Sequence, residues 1–250
     1  MEIERLSKSY NSVHVLREVA LALNLNEHVI LAGPSGGGKS TLLRIVAGLD
    51  APSAGSVRID GITVADSEGS RVPAHRRGIG MVFQDLGLWP NLTVADNIQL
   101  SLTATLGSRV HRRERTSEIL RSCYLESVAH RLPDRLSSGE QQRVALARTL
   151  AGHPKILLLD EPFGALDRTL REDLFHLVRQ ICADHQITCL TVTHDVFDAW
   201  GLQAERIVVL EEGRICDDIP LNSLLHCQPS SKTLRAWQAI ARNVVSISHL

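Results

Sequence analysis

Gly33-Pro34-Ser35-Gly36-Gly37-Gly38-Lys39-Ser40, followed by Thr41, is the stretch whose surroundings decide the fold. Just before it, Val29-Ile30-Leu31-Ala32 is a short apolar run of β formers that ends at glycine. Beyond it, Leu42, Ile45, Val46 and Leu49 recur at helical spacing, so a helix with an apolar face begins near Lys39. A strand, a glycine loop and a helix in that order are the setting of a phosphate cradle. The stretch matches G-x-x-x-x-G-K-[ST] in full, and a chance match in a chain of this length has a probability on the order of one per cent. Glycines let successive backbone N–H groups turn toward phosphate oxygens, and the helix adds the positive end of its dipole. Lys39 is the cation for the β- and γ-phosphates, and the Ser40 hydroxyl is a ligand for Mg²⁺.

A second half of the site lies downstream. Ile156-Leu157-Leu158-Leu159 is a continuous apolar run, as expected of a parallel strand buried on both faces, and it delivers Asp160-Glu161 at its end. One carboxylate can organise Mg²⁺ while the next takes a proton from water, the division of labour that phosphoryl transfer needs. Alone, such a pair is more often a helix cap. A third buried run, Thr188 to Thr193, ends at His194. Three strands ending at Gly33, Asp160 and His194 put one site at the carboxyl edge of a mostly parallel sheet.

Outward from these runs, Val13 to Leu16 and Ala20 to Leu25 read as strands, and Gly55 to Gly61 as a strand closed by a turn. Residues 93–150 turn mostly helical, with a charged segment at Arg109 to Arg115, and Leu170 to Asp184 is a further helix. The chain has 250 residues, 44% of them hydrophobic, which suits one sizeable domain with a subdomain. A net charge of −1 gives no general attraction to nucleic acid, so Arg109 to Arg115 reads as a solvated helix face. MEIERLSKSY carries charges where a leader would be apolar, and no apolar run approaches the roughly 20 residues that span a bilayer. Five cysteines without a C-x-x-C pair fit buried small hydrophobes in a reducing compartment.

Leu136-Ser137-Ser138-Gly139-Glu140-Gln141-Gln142-Arg143, followed by Val144-Ala145-Leu146-Ala147-Arg148, narrows the choice among phosphate-loop proteins. It resembles the signature sequence of ATP-binding cassette (ABC) ATPases, LSGGQ-x-(Q/R)R. Ser138 stands where the family has the first glycine of its pair, and Glu140 where it has glutamine. Other elements follow in the family's order. Tyr10 resembles the aromatic that stacks on adenine; Gln84 in Met81-Val82-Phe83-Gln84 resembles the glutamine that senses Mg²⁺ and water; Gly164-Ala165-Leu166-Asp167 resembles the loop that crosses the dimer interface; His194 in Thr193-His194-Asp195 resembles the switch histidine. The resemblance covers roughly residues 1–220.

It implies an α/β fold of the P-loop NTPase (RecA-like) type, with a mostly parallel core sheet, an antiparallel β-subdomain and an inserted α-helical subdomain. The expected division is a cassette over 1–225, core 1–90 and 151–225 with helical subdomain 91–150, then a short C-terminal tail at 226–250 and no regulatory domain. Expected catalytic residues are Glu161, His194 and Gln84. Nucleotide contacts are Tyr10, Gly33, Pro34, Ser35, Gly36, Gly37, Gly38, Lys39, Ser40 and Thr41, with Ser137, Ser138, Gly139 and Asp167 serving nucleotide held by the opposite subunit. Ser40, Gln84 and Asp160 are the expected Mg²⁺ ligands, and ATP and Mg²⁺ the cofactors.

The partners implied are a second copy in a head-to-tail dimer and transmembrane permease subunits, with no nucleic acid and no contact with the transported solute. The place implied is the cytoplasmic face of the inner membrane, peripherally attached. Asp160-Glu161-Pro162-Phe163-Gly164 and His75-Arg76-Arg77-Gly78-Ile79-Gly80 look like bacterial importers of polar solutes; exporter and non-transport cassettes are the alternatives. Asp85 to Leu100, with Leu86, Leu88, Trp89-Pro90 and Leu92, reads either as a permease-docking segment or as subdomain core.

Overall fold

The computed structural model describes residues 1–102, 108–164 and 166–247. Its centre is a six-stranded sheet in the order β11 (Arg214–Pro220), β10 (Arg206–Glu211), β3 (His28–Ala32), β9 (Thr188–Val192), β8 (Ile156–Asp160), β7 (Ile79–Val82). All neighbours are parallel except the edge pair β10–β11. Strands β3, β8 and β9 are buried at every position, which is why they read as unbroken apolar runs. Their side chains alternate between two cores. Ile30, Leu157, Leu159, Cys189 and Ile207 face one side, where α2 (Val94–Ser101), α4 (Ser138–Leu150) and α5 (Arg168–His185) pack. Leu31, Leu158, Leu190, Val192 and Leu210 face the other, against α1 (Lys39–Ala47) and a second sheet.

That second sheet has five antiparallel strands in the order β2 (Val13–Ala22), β1 (Glu2–Tyr10), β4 (Ala54–Ile59), β5 (Ile62–Asp66), β6 (Gly69–Ser70). The sequence reading splits β2 into two strands and misses β1. Both errors have one cause. The β1–β2 ladder shifts register between Ile3 and Leu6 and again beyond Leu6, with Arg5 and Glu18 in the left-handed region. Bulges of this kind break the period-2 pattern that marks a strand. Helices α2, α3 (Arg109–Ser122) and α4 pack on one another and form the helical stretch expected within 93–150.

Two further helices follow, the short α6 (Val196–Gly201) and the 16-residue α7 (Lys232–Ile247). Within 226–250, expected as a short tail, α7 buries Leu234, Trp237 and Ala241 in the helical-side core. Carboxylates on β10 and β11 hold its start: Glu211 accepts from Thr233 N at 2.8 Å, and Asp217 accepts from Ser231 N at 2.7 Å. Among the described residues, no helix is long and apolar enough to cross a membrane.

Candidate functional site

The carboxyl ends of β3, β7, β8 and β9 bring the expected residues together. The loop 33–40 leaves β3 at Gly33, whose φ of +147° lies in the glycine region. A Cβ there would stand 2.1 Å from the Leu210 carbonyl oxygen on β10, so this position must be glycine for the strand to pass. Gly38, at φ +99°, opens α1, and no side chain caps that helix. Its first-turn N–H groups lack a side-chain cap, an arrangement that suits an anion. Lys39 is only 6% exposed and folds back over the loop, donating to Gly33 O at 2.9 Å and Pro34 O at 2.8 Å. Burial lowers its pKa, opposed by the charges of Glu161 and Asp160.

Ser40 donates to Asp160 Oδ1 at 3.2 Å, joining the helix start to the end of β8. Asp160 is 6% exposed, and burial raises its pKa. A serine hydroxyl against a buried carboxylate is the hard-oxygen chemistry that Mg²⁺ takes. Among the described residues, no three His, Cys, Asp or Glu side chains cluster to hold a metal by themselves. That donor set suits an ion completed by phosphate oxygens and water. Glu161, the next residue, sits in the left-handed region at φ +48°, an uncommon conformation for a non-glycine residue and one found at functional sites. Its Oε2 accepts from Gln84 Nε2 at 3.2 Å and lies 3.9 Å from His194 Nδ1. Glu161 is therefore held between the residues that follow β7 and β9, above the loop that follows β3.

Tyr10, at the end of β1, interacts through its hydroxyl with Thr41 in the first turn of α1, so the aromatic stands beside the cradle. Two residues that no motif pointed to hold it there. Its hydroxyl hydrogen-bonds Asp50, and the Lys8 ammonium lies 4.8 Å from its ring centre while bonding Asp50 at 2.6 Å. No spacing rule links positions 8, 10 and 50; only the fold does.

Ser137, Ser138, Gly139 and Asp167 are engaged at the starts of other helices. Among the described residues, no hydrogen bond or ion pair joins them to the loop 33–40. Both segments begin helices. Asp167 caps α5 by accepting from Leu170 N at 3.0 Å. Ser137 caps α4 in a reciprocal box: Ser137 N donates to Glu140 Oε2 at 2.7 Å, and Glu140 N to Ser137 Oγ at 3.3 Å. The departure at Glu140 thus has a structural reason. Its carboxylate turns back onto the cap, and the Ser137 N–H holds its pKa below the usual range. Ser138 is simply the first helical residue. Ala165 of the crossing-loop stretch lies outside the described residues.

A protein-family profile described as ABC transporter matches residues 16–164. The chain belongs to the ABC transporter family. It is 39% identical over 96% of its length to the Fe(3+) ions import ATP-binding protein FbpC of Pseudomonas fluorescens, spanning 67% of that protein. It is 42% identical over 86% of its length to the putrescine transport ATP-binding protein PotG of Escherichia coli, spanning 55% of that one. Among solved structures, the dimeric post-hydrolysis state of the ATP-binding cassette MJ0796 bound to ADP and Pi superimposes with a TM-score of 0.79. That match has 35% identity and covers 88% of this chain and 98% of that one. As an ABC cassette, this chain has the α/β P-loop architecture expected from its sequence.

Proposed function

We propose that this chain is the ATP-hydrolysing subunit of a membrane transporter, an importer of a polar solute, working as a head-to-tail pair on the cytoplasmic face of the membrane. The observation that carries the reading is Glu161, held between Gln84 and His194 at the edge of an uncapped phosphate loop. In this account Tyr10 stacks on adenine, and the loop amides with Lys39 hold the phosphate oxygens. Ser40, Asp160 and Gln84 would hold Mg²⁺, which would supply positive charge against the phosphate oxygens. Glu161 takes the proton of the attacking water, Gln84 orients that water, and His194 contacts the γ-phosphate.

Among the described residues no hydrogen bond or ion pair joins Ser137–Gly139 to the loop 33–40, which supports a shared site in which each element serves the other chain. A two-fold pair sets each loop against the partner's serine-capped helix. The dimeric cassettes it resembles support the pairing. Import is supported by the names of similar proteins, which include Fe(3+) ions import and sulfate/thiosulfate import ATP-binding proteins.

Glu161→Gln tests the assignment, since it keeps the shape and removes the base. ATP binding should persist, hydrolysis should fall about 10²-fold or more, and an ATP-dependent dimer should accumulate on a sizing column. Wild-type turnover in this variant would sink the role.

A further inference from the structure

The His194 side chain is 66% exposed, and its Nδ1 lies 3.9 Å from Glu161 Oε2. Its position is therefore set by its backbone and not by packing around the ring. The residues flanking it are fixed in a different way. Thr193 and Asp198 are 2% and 3% exposed, and the Thr193 hydroxyl donates to Asp198 Oδ2. Asp195 N donates back to Thr193 Oγ1 at 3.1 Å, and Asp195 Oδ1 accepts from Phe197 N at 2.9 Å. Arg171, from α5, closes the group by donating through one nitrogen to Asp195 Oδ2 at 2.6 Å and Asp198 Oδ1 at 3.4 Å. Arg171 stands one turn into α5, and its N–H bonds Asp167 O at 3.0 Å. Residues on both sides of His194 are thus tied to the helix that starts at Asp167.

We propose that Arg171 and Asp198 are positioning residues for His194, forming with Thr193 and Asp195 a brace that fixes the histidine turn against the start of α5.

The arrangement is poorly explained by stability alone. Asp198 is a carboxylate placed beside the buried Val196 and Ala199, and burial raises its pKa to about 6. Among the described residues, Arg171 Nε is buried without a hydrogen-bond partner. Of the three charged groups only the Asp198 side chain is buried, with Arg171 and Asp195 partly exposed; such partly buried pairs add little stability, whereas a polar network specifies one arrangement of the groups it joins. Here the group so specified is a turn whose only functional side chain points outward.

This inference rests on the reading of His194 as a γ-phosphate contact, and the test separates the two. Asp198→Asn and Arg171→Met each cut the brace from one side. Each should keep a cooperative melt and the affinity for a fluorescent ATP analogue within about twofold, while kcat falls roughly ten- to a hundredfold, as expected when a catalytic group is displaced by about 1 Å. Arg171→Lys keeps the charge and should retain more activity than Arg171→Met. Placed in a His194→Ala background and measured by single-turnover hydrolysis, the same changes should add less than a twofold loss, because the group they position is gone. A full multiplicative loss in that background, or an unchanged kcat in Asp198→Asn and Arg171→Met, overturns the brace. Wild-type turnover in His194→Ala would overturn the role of His194 and the brace with it. Should Asp198→Asn fail to fold, Arg171→Met carries the test, since its side chain lies nearer solvent.

Discussion

Gly33→Ala should be far more damaging than Gly36→Ala, although both lie in one loop. At Gly33 the added Cβ meets the Leu210 carbonyl oxygen at 2.1 Å, a backbone atom of a central strand that has nowhere to go. Forcing that contact resembles overpacking a core, about 1–3 kcal/mol, and a side chain at φ +147° adds backbone strain of about 1–3 kcal/mol. The sum, roughly 2–6 kcal/mol, is a large part of the 5–15 kcal/mol typical of a folded domain. At Gly36 nothing lies within 4 Å of the Cβ, and only the φ of +76° disfavours a side chain, at a cost of about 1–2 kcal/mol. Urea unfolding of both variants and the wild type, with m held constant, reads these differences directly. If Gly33→Ala proves as stable as Gly36→Ala, β10 does not press on the loop as described, and the reason given for glycine at position 33 is wrong.

Further outcomes follow from burial. His28 is buried against Thr191 Oγ1 at 2.9 Å, and burial lowers its pKa to about 4. Between pH 6.5 and 4 the unfolded chain binds this proton and the folded chain does not, so stability falls as pH drops through that window. The loss from this group is about 3 kcal/mol, and His28→Gln should flatten the profile by that amount in denaturant titrations at pH 7 and pH 4. Trp237→Ala removes the anchor of α7 and should cost about 3–5 kcal/mol in the same assay, whereas a negligible change would mean α7 is not part of the core. Trp89 is 57% exposed, and its backbone is held by the Asn97 side chain. Trp89→Ala should therefore change stability by no more than about 0.5 kcal/mol and leave soluble ATPase activity intact, while co-purification with detergent-solubilised permease drops; unfolding would assign the residue to the subdomain core instead.

What the sequence made legible was whatever sits on strands buried on both faces. β3, β8 and β9 announce themselves as apolar runs, and each ends in a chemical residue, so Lys39, Asp160, Glu161 and His194 could be named together. Residues whose roles depend on distant partners stayed silent. Asp50 fixes Tyr10 across 40 positions. Arg77, 4% exposed, closes the end of α1 by donating to Ile45 O and Val46 O, both at 2.8 Å, yet in sequence it is one of two adjacent arginines. Asn97 holds the 89–93 segment with four side-chain hydrogen bonds and is fully buried, though an Asn inside a helix reads as a surface residue. Helix α7 was not read from the sequence, which left 226–250 as a tail: Leu234, Trp237 and Ala241 are too few apolar residues to reveal a docking place. That place is built by Glu211, Asp217 and the Leu224 and Cys227 carbonyls that Gln238 bonds.

The shared site is the central claim, and mixing two inactive chains tests it most directly. Lys39→Ala lacks the phosphate cation, and Ser137→Arg blocks the serine-capped helix start, so each variant alone has both sites of its pair damaged. In a mixed pair, the intact loop of one chain meets the intact helix start of the other, and one complete site forms. Random pairing at equal concentrations makes half the pairs mixed with one site of two intact, so ATPase activity should recover to about a quarter of the wild-type level, provided one site turns over alone. Activity that stays at the level of the separate variants, or full wild-type turnover in a chain held monomeric by dilution, would contradict the account.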